Sequence, residues 1–97
     1  MYNNAKIKLH SRVRHRRVGD DGVVVWMHNG TVLVVNEVGS FIIEKLMETS
    51  DSEQIIASLC LQFDVNDAQA RFDFEHYINH LKDKNVVADD TETSLVT

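Results

Sequence analysis

Two short runs of β-branched and bulky residues, Val23-Val24-Val25-Trp26-Met27 and Val32-Leu33-Val34-Val35, flank Asn29-Gly30, after which the apolar spacing changes from about two to about 3.6. The runs are too short for helices and predict paired strands with one face buried. Asn-Gly tolerates the positive φ that a two-residue type I′ turn needs at both central positions, so a hairpin turning at Asn29-Gly30 is expected. Thr31 to Val35 would then be the last strand of a small sheet, with its outer edge open.

The basic segment upstream predicts a third strand, pairing with 22–28 through the turn Gly19-Asp20-Asp21-Gly22 and contributing Val13 and Val18 to the apolar side. Downstream, Val38, Ile42 and Leu46 with Phe41, Ile43 and Met47 cover one broad face of a helix whose N-cap position holds Asn36. Ser50-Asp51-Ser52-Glu53 has the spacing of a capping box, and Ile55, Ile56, Leu59, Cys60 and Phe63 follow at helical intervals. A third helix begins near Asn66-Asp67 and runs through Phe74, Tyr77, Ile78 and Leu81 towards Asn85, a residue suited to the left-handed C-terminal conformation. The expected class is α+β, a three-stranded antiparallel sheet followed by three helices.

Val86-Val87 can still pack, whereas Ala88 to Thr97 is acidic and rich in Thr and Ser. The organisation expected is a flexible N-terminus over 1–10, one domain over 11–87 and an acidic disordered tail over 88–97. An apolar fraction of 43% with 26% charged residues belongs to a soluble globular chain. No apolar stretch approaches the roughly 20 residues of a membrane span, and the polar Met1-Tyr2-Asn3-Asn4 lacks the apolar core of a secretory signal, so a cytoplasmic location is expected.

Charge is uneven. Lys6, Lys8, Arg12, Arg14, Arg16 and Arg17 give the first 17 residues six positive charges and no acid, while the other 80 carry four basic and fifteen acidic side chains. Such a basic segment suits phosphate or an acidic peptide, and equally the protection of an edge strand from aggregation.

No catalytic constellation emerges. His76 and His80 are spaced i, i+4, but Tyr77-Ile78-Asn79 between them has no Glu where a metalloprotease helix requires one, and a third ligand is missing. His10, His15 and His28 have no partner pattern. Gly19-Asp20-Asp21-Gly22 lacks both the Lys-Ser/Thr of a phosphate loop and the spaced oxygen ligands of a calcium loop, and reads as a turn. Asn29-Gly30-Thr31 matches a glycosylation sequon, but the hairpin accounts for the residues. Cys60 lies on an apolar stripe and reads as a small core residue. Neither catalysis, metal nor cofactor is expected.

The order of segments resembles the PqqD family. Val35-Asn36-Glu37-Val38-Gly39 followed by Ile42-Ile43-Glu44 is similar to its "LN-x-x-G…IW-E" element, with Ile43 where Trp is frequent. Ser52-Glu53-Gln54-Ile55-Ile56, Leu59 and Phe63-Asp64-Val65 resemble its second-helix segment. Asp73-Phe74, Tyr77-Ile78, Leu81 and Asn85-Val86-Val87 resemble its terminal pattern, with Asn85 where Gly is usual. The usual Asp-Gly after the first helix is replaced by Glu48-Thr49-Ser50-Asp51. The resemblance covers about residues 11 to 87.

The resemblance implies a winged-helix-like module that binds the leader of a ribosomally made precursor peptide and presents it to a modifying enzyme, commonly a radical-SAM protein, as in pyrroloquinoline quinone or related peptide biosynthesis. On that expectation the edge of Thr31, Val32, Leu33, Val34 and Val35 supplies a main-chain ladder, and Arg71, Phe74, Glu75 and Ile78 of the third helix supply selectivity. Leu33 and Val35 can face inward while their backbone still binds, and Phe74 and Ile78 equally suit core packing. The same edge would also let two copies pair as a homodimer. The alternative is a winged-helix nucleic-acid binder using Arg12, Arg14, Arg16 and Arg17 on phosphates; a net charge of −5 and the acids Asp73, Glu75 and Asp83 on the third helix oppose it, with only Arg71, Lys82 and Lys84 in favour.

Overall fold

The computed structural model describes residues 7–27, 30–84 and 86–89. Its strands are β1 (Ile7–Leu9), β2 (Val13–Val18), β3 (Asp21–Trp26), β4 (Thr31–Val35) and β5 (Val87–Asp89), and its helices are α1 (Glu37–Leu46), α2 (Ser52–Phe63) and α3 (Asp67–Asp83). Strands β2, β3 and β4 form an antiparallel sheet in that order, giving the α+β arrangement of three strands followed by three helices.

A second sheet pairs β1 with β5, so the ordered structure reaches beyond the expected limits of 11 and 87. Ile7 and Val87 are each only 4% exposed, and strands of three residues are too short to leave a periodic signal. His10, just after β1, sets its ring edge-on against Trp26 at 4.1 Å, tying this small sheet to the larger one. Residues 1–6 and 90–97, the remainder of the expected flexible ends, lie outside the described residues.

Both hairpins depart in detail from expectation. β2 and β3 are joined by Gly19-Asp20 alone, because Val18 pairs with Asp21. Gly19 takes φ +63° and Asp20 has no positive φ, the pattern of a type II′ turn, whose sense matches the strand twist. Trp26 pairs with Thr31, so four residues rather than two connect β3 to β4, and the Gly30 N–H donates to the Trp26 carbonyl at 2.8 Å. Gly30 has φ +77°, while Asn29 and His28 lie outside the described residues. The glycine thus closes a wider loop.

Each helix starts on an acceptor side chain. The Asn36 side chain accepts from the Gly39 N–H at 3.0 Å, and that of Asn66 from the Gln69 N–H at 2.8 Å. For α2 the cap is Asp51, accepting from the Glu53 N–H at 3.0 Å, one residue later than the Ser50 of the expected box. Thr49 Oγ1 accepts from the Asp51 N–H at 3.0 Å and fixes the approach. Helix α2 ends on Asp64 at φ +55°, a left-handed terminus on a residue that tolerates it. Asn85, expected in that role for α3, lies outside the described residues.

The core lies between the inner sheet face and the helices. Val13, Val24, Trp26 and Val35 meet Ile42, Ile43 and Leu46 of α1, Ile55, Ile56 and Leu59 of α2, and Ala70, Phe74, Ile78 and Leu81 of α3. Two residues expected on the apolar side are not there. Val18 is 56% exposed because its register puts it on the outer sheet face with Arg14 and Arg16, and Met47 is 53% exposed because α1 has already ended at Leu46. His15 and Ser40 join β2 to α1 through Nε2 and Oγ at 3.1 Å, with Ser40 fully buried. Beside them Arg17 grips both carboxylate oxygens of Glu44, at 2.9 and 3.1 Å.

Candidate functional site

Alternation along β4 leaves Val32 and Val34 exposed, at 59% and 68%, while Leu33 is half-buried and Val35 buried against the helices; Thr31, at the start of the strand, is also exposed. The backbone direction follows from one hydrogen bond and the strand register. Met27 N–H donates to the Arg12 carbonyl at 2.8 Å, so the polar groups of Val23, Val25 and Met27 point towards β2, and those of Gly22, Val24 and Trp26 towards β4. Their partners Val35, Leu33 and Thr31 therefore spend their N–H and C=O groups on β3. The N–H and C=O groups of Val32 and Val34 point out of the sheet, and among the described residues nothing bonds to them. This is an open main-chain ladder.

The next outward-pointing donor after Val34 is the Asn36 N–H. It is taken by α3, whose Tyr77 hydroxyl holds a hydrogen bond from the Asn36 main chain; burial raises the Tyr77 pKa and this donor partly offsets the rise. The Tyr77 ring reaches so close to α1 that a Cβ at Gly39 would lie 2.8 Å from Tyr77 Cε1 and 2.9 Å from Val35 Cβ. Asn36 and Gly39 thus have linked physical roles: one caps α1, and the other lets α3 come against the end of β4. Asp73, four residues before Tyr77, shares its flank of α3 and is held by Gln69 Nε2 at 3.0 Å.

The α3 residues expected to supply selectivity lie elsewhere. Phe74 and Ile78 are each 4% exposed and belong to the core. Arg71 is turned to α2, donating to both carboxylate oxygens of Glu53 at 2.8 and 3.0 Å, with Asp67 at 3.3 Å from its Nε. Those bonds hold the guanidinium strongly in its charged form and the Glu53 carboxyl below its usual range. Arg71 and Tyr77 are six residues apart, about 120° around the helix, so the flank that approaches β4 carries Tyr77 and Asp73 rather than Arg71 and Glu75. Tyr77 sat in the apolar stripe of the sequence, where a half-buried phenol at the stripe's border cannot be told from a core aromatic. Gly39, a glycine in the first turn of a helix, was the signal for the close approach.

Other chemistry is sparse. Among the described residues no three His, Cys, Asp or Glu side chains come together as a metal site, and no helix is long and apolar enough to cross a membrane. His76 and His80 are exposed, and the His76 ring lies between Phe72 and Tyr77, at 6.4 and 5.9 Å. An open cleft of about 260 Å³ is lined by Ile7, Lys8 and Leu46 through Ser50, none of them in β4 or α3. Of the four arginines considered for phosphate, Arg17 is committed to Glu44; Arg12, Arg14 and Arg16 are exposed.

A free strand edge beside a helix flank, on a three-strand, three-helix scaffold, defines a small α+β domain whose edge backbone is open to pairing. The family model for Coenzyme PQQ synthesis protein D (PqqD) matches residues 21–87, and the chain belongs to the PqqD family. The match spans β3 to the start of β5 and leaves β1 and β2 outside it. Two solved structures have the same fold. One is TbiB1 in complex with the TbiA(beta) leader peptide, 24% identical over 82% of this chain and 93% of that one, at a TM-score of 0.74. The other is a lasso peptide synthetase B1 complexed with the leader peptide, 15% identical over 87% of this chain and 99% of that one, at a TM-score of 0.73. No curated protein matches the chain.

Proposed function

We propose that this chain is a non-catalytic recognition element that binds the leader of a ribosomally synthesised precursor peptide by strand addition at β4 and presents the precursor to a modifying enzyme. The observation that carries this reading is the open ladder of Val32 and Val34, bounded at one end by the Tyr77 hydroxyl on Asn36. The family membership supports it, as do two structural neighbours that each hold a leader peptide. The leader's main chain bonds to Val32 and Val34, while its side chains alternate between the groove beside Tyr77 and Asp73 and the outer sheet face. Thr31, Leu33 and Val35 form the wall that holds the edge in place, and Phe74 and Ile78 support α3 from the core. The modifying enzyme is of radical-SAM type, and the setting is the cytoplasm.

The test is an amide NMR titration of the labelled protein with the leader of the small peptide encoded nearest its gene. Saturable shifts over 31–36 and at Asp73 and Tyr77 are expected. Shifts confined to β2, saturated by mixed-sequence duplex DNA with steep salt dependence, would favour the phosphate-binding alternative instead.

A further inference from the structure

The sheet has a second face that the described helices leave uncovered. Strand register places Arg14, Val25 and Val32 side by side in one row of that face and Arg16, Val23 and Val34 in the next. Arg14 and Arg16 are exposed, Val32 and Val34 are 59% and 68% exposed, and Val23 and Val25 are half-buried in the central strand. These two rows thus make a four-valine strip with an arginine at the β2 end of each, and the next row of the face pairs exposed Val18 with Asp21.

Its charge is not balanced among the described residues. The protein carries a net charge of −5, and Glu44, Glu48, Glu53 and Asp67 pair with Arg17, Lys45 and Arg71. Arg14 and Arg16 have no acidic partner among the described residues; Arg14 donates only to the carbonyls of Ser11 and Val13, at 3.2 Å each. Edge protection accounts for arginines on β2 but not for uncharged valines across β3 and β4. Phosphate binding likewise makes no use of the valines. An apolar centre with a cationic rim on one side fits a protein surface with an apolar centre and a carboxylate rim.

We propose that this outer face docks the peptide-modifying enzyme, and that the bound leader enlarges the docking surface; this rests on the function proposed above. Three strands about 4.8 Å apart and six residues long cover roughly 300 Å², well short of the about 800 Å² per partner of a standard interface. A leader strand added at β4 widens the face by about a third, to roughly 400 Å² or about half of a standard interface, and every second leader side chain extends the two rows. The enzyme therefore meets the leader and the arginine rows together and prefers the loaded protein to the free one.

The experiment compares wild type, R14E/R16E and R14K/R16K as full chains, each with the leader that shifts β4 and with the purified enzyme encoded beside that precursor. Neither arginine touches the β4 ladder, so leader affinity should stay within about twofold of wild type. Enzyme affinity of the leader-loaded R14E/R16E should fall about tenfold or more, because it sets like charges against each other, and R14K/R16K should restore most of it. Unchanged enzyme affinity in R14E/R16E with the leader bound would overturn the docking face while leaving leader recognition standing. A wild type that binds no leader at β4 would overturn the recognition reading and the docking face with it. Saturable DNA binding by wild type that R14E/R16E loses would assign the face to phosphate instead.

Discussion

The Tyr77 hydroxyl takes the main-chain hydrogen bond of Asn36, and with it the last outward-pointing donor of the β4 edge. One side chain of α3 therefore sets where the open ladder stops. Beyond Val34 the edge has nothing left to offer an incoming strand, which confines pairing to the segment around Val32 and Val34.

Tyr77→Phe removes that acceptor and keeps the ring against Gly39. The Asn36 N–H should then exchange with solvent several-fold faster, and stability should fall by about 0.5–1.5 kcal/mol, the net worth of one hydrogen bond. Amide exchange and urea denaturation read both. Unchanged exchange at Asn36 would mean that the phenol does not hold this group.

Gly39→Ala puts a methyl 2.8 Å from Tyr77 Cε1 and 2.9 Å from Val35 Cβ. Overpacking of this kind costs about 1–3 kcal/mol, against a gain of up to about 1 kcal/mol from replacing glycine in a helix. Net destabilisation is expected, together with shifted Tyr77 ring resonances. A stabilised variant would show that α3 is free to move away from α1.

Val34→Pro and Leu33→Pro separate the two sides of β4. Val34 points its N–H outward, so proline there should leave the fold intact and weaken leader binding about tenfold. Leu33 bonds back to Val24, so proline there should lower stability by about 3 kcal/mol or more, visible in the urea midpoint. Equal stability losses in the two variants would contradict the backbone direction assigned to this strand.

His15 makes stability sensitive to pH near neutrality. Burial lowers its pKa from the ordinary 6.5, with Glu44 opposing the shift. The unfolded chain thus binds the proton more readily than the folded one, so the His15 contribution is complete above about pH 6.5 and is lost as pH falls towards the lower folded value. Glu44, held below its ordinary 4.5 chiefly by Arg17, adds a contribution that is present above that value and lost in more acidic solution. Urea midpoints of wild type and His15→Gln between pH 7.5 and 5.5 should differ in slope, with the variant flatter; parallel slopes would remove His15 as the source.

Much of this architecture is legible in the sequence because its elements rest on local rules. Asn36 and Asn66 sit where helix caps belong, and the apolar periods of α1, α2 and α3 mark the faces that reach the core. The strand pair was legible from its valines, but the loop length was not, since Gly30 serves a four-residue connection as readily as a two-residue turn. The pairing of β1 with β5 depends on contacts between distant parts of the chain. The same holds for the α3 flank: helical spacing alone ranks Arg71 and Glu75 as accessible, and only the packing of Tyr77 on Gly39 and the capture of Arg71 by Glu53 show which flank turns to β4.

Strand addition at β4 would engage the main-chain groups of Val32 and Val34, and amide hydrogen exchange measures them directly. With saturating leader, the Val32 and Val34 N–H groups should become protected by about tenfold or more, while Leu33 and Val35, already bonded to β3, change little. Unaltered exchange at Val32 and Val34 in a protein that demonstrably holds the leader would place the peptide elsewhere and contradict strand addition at this edge.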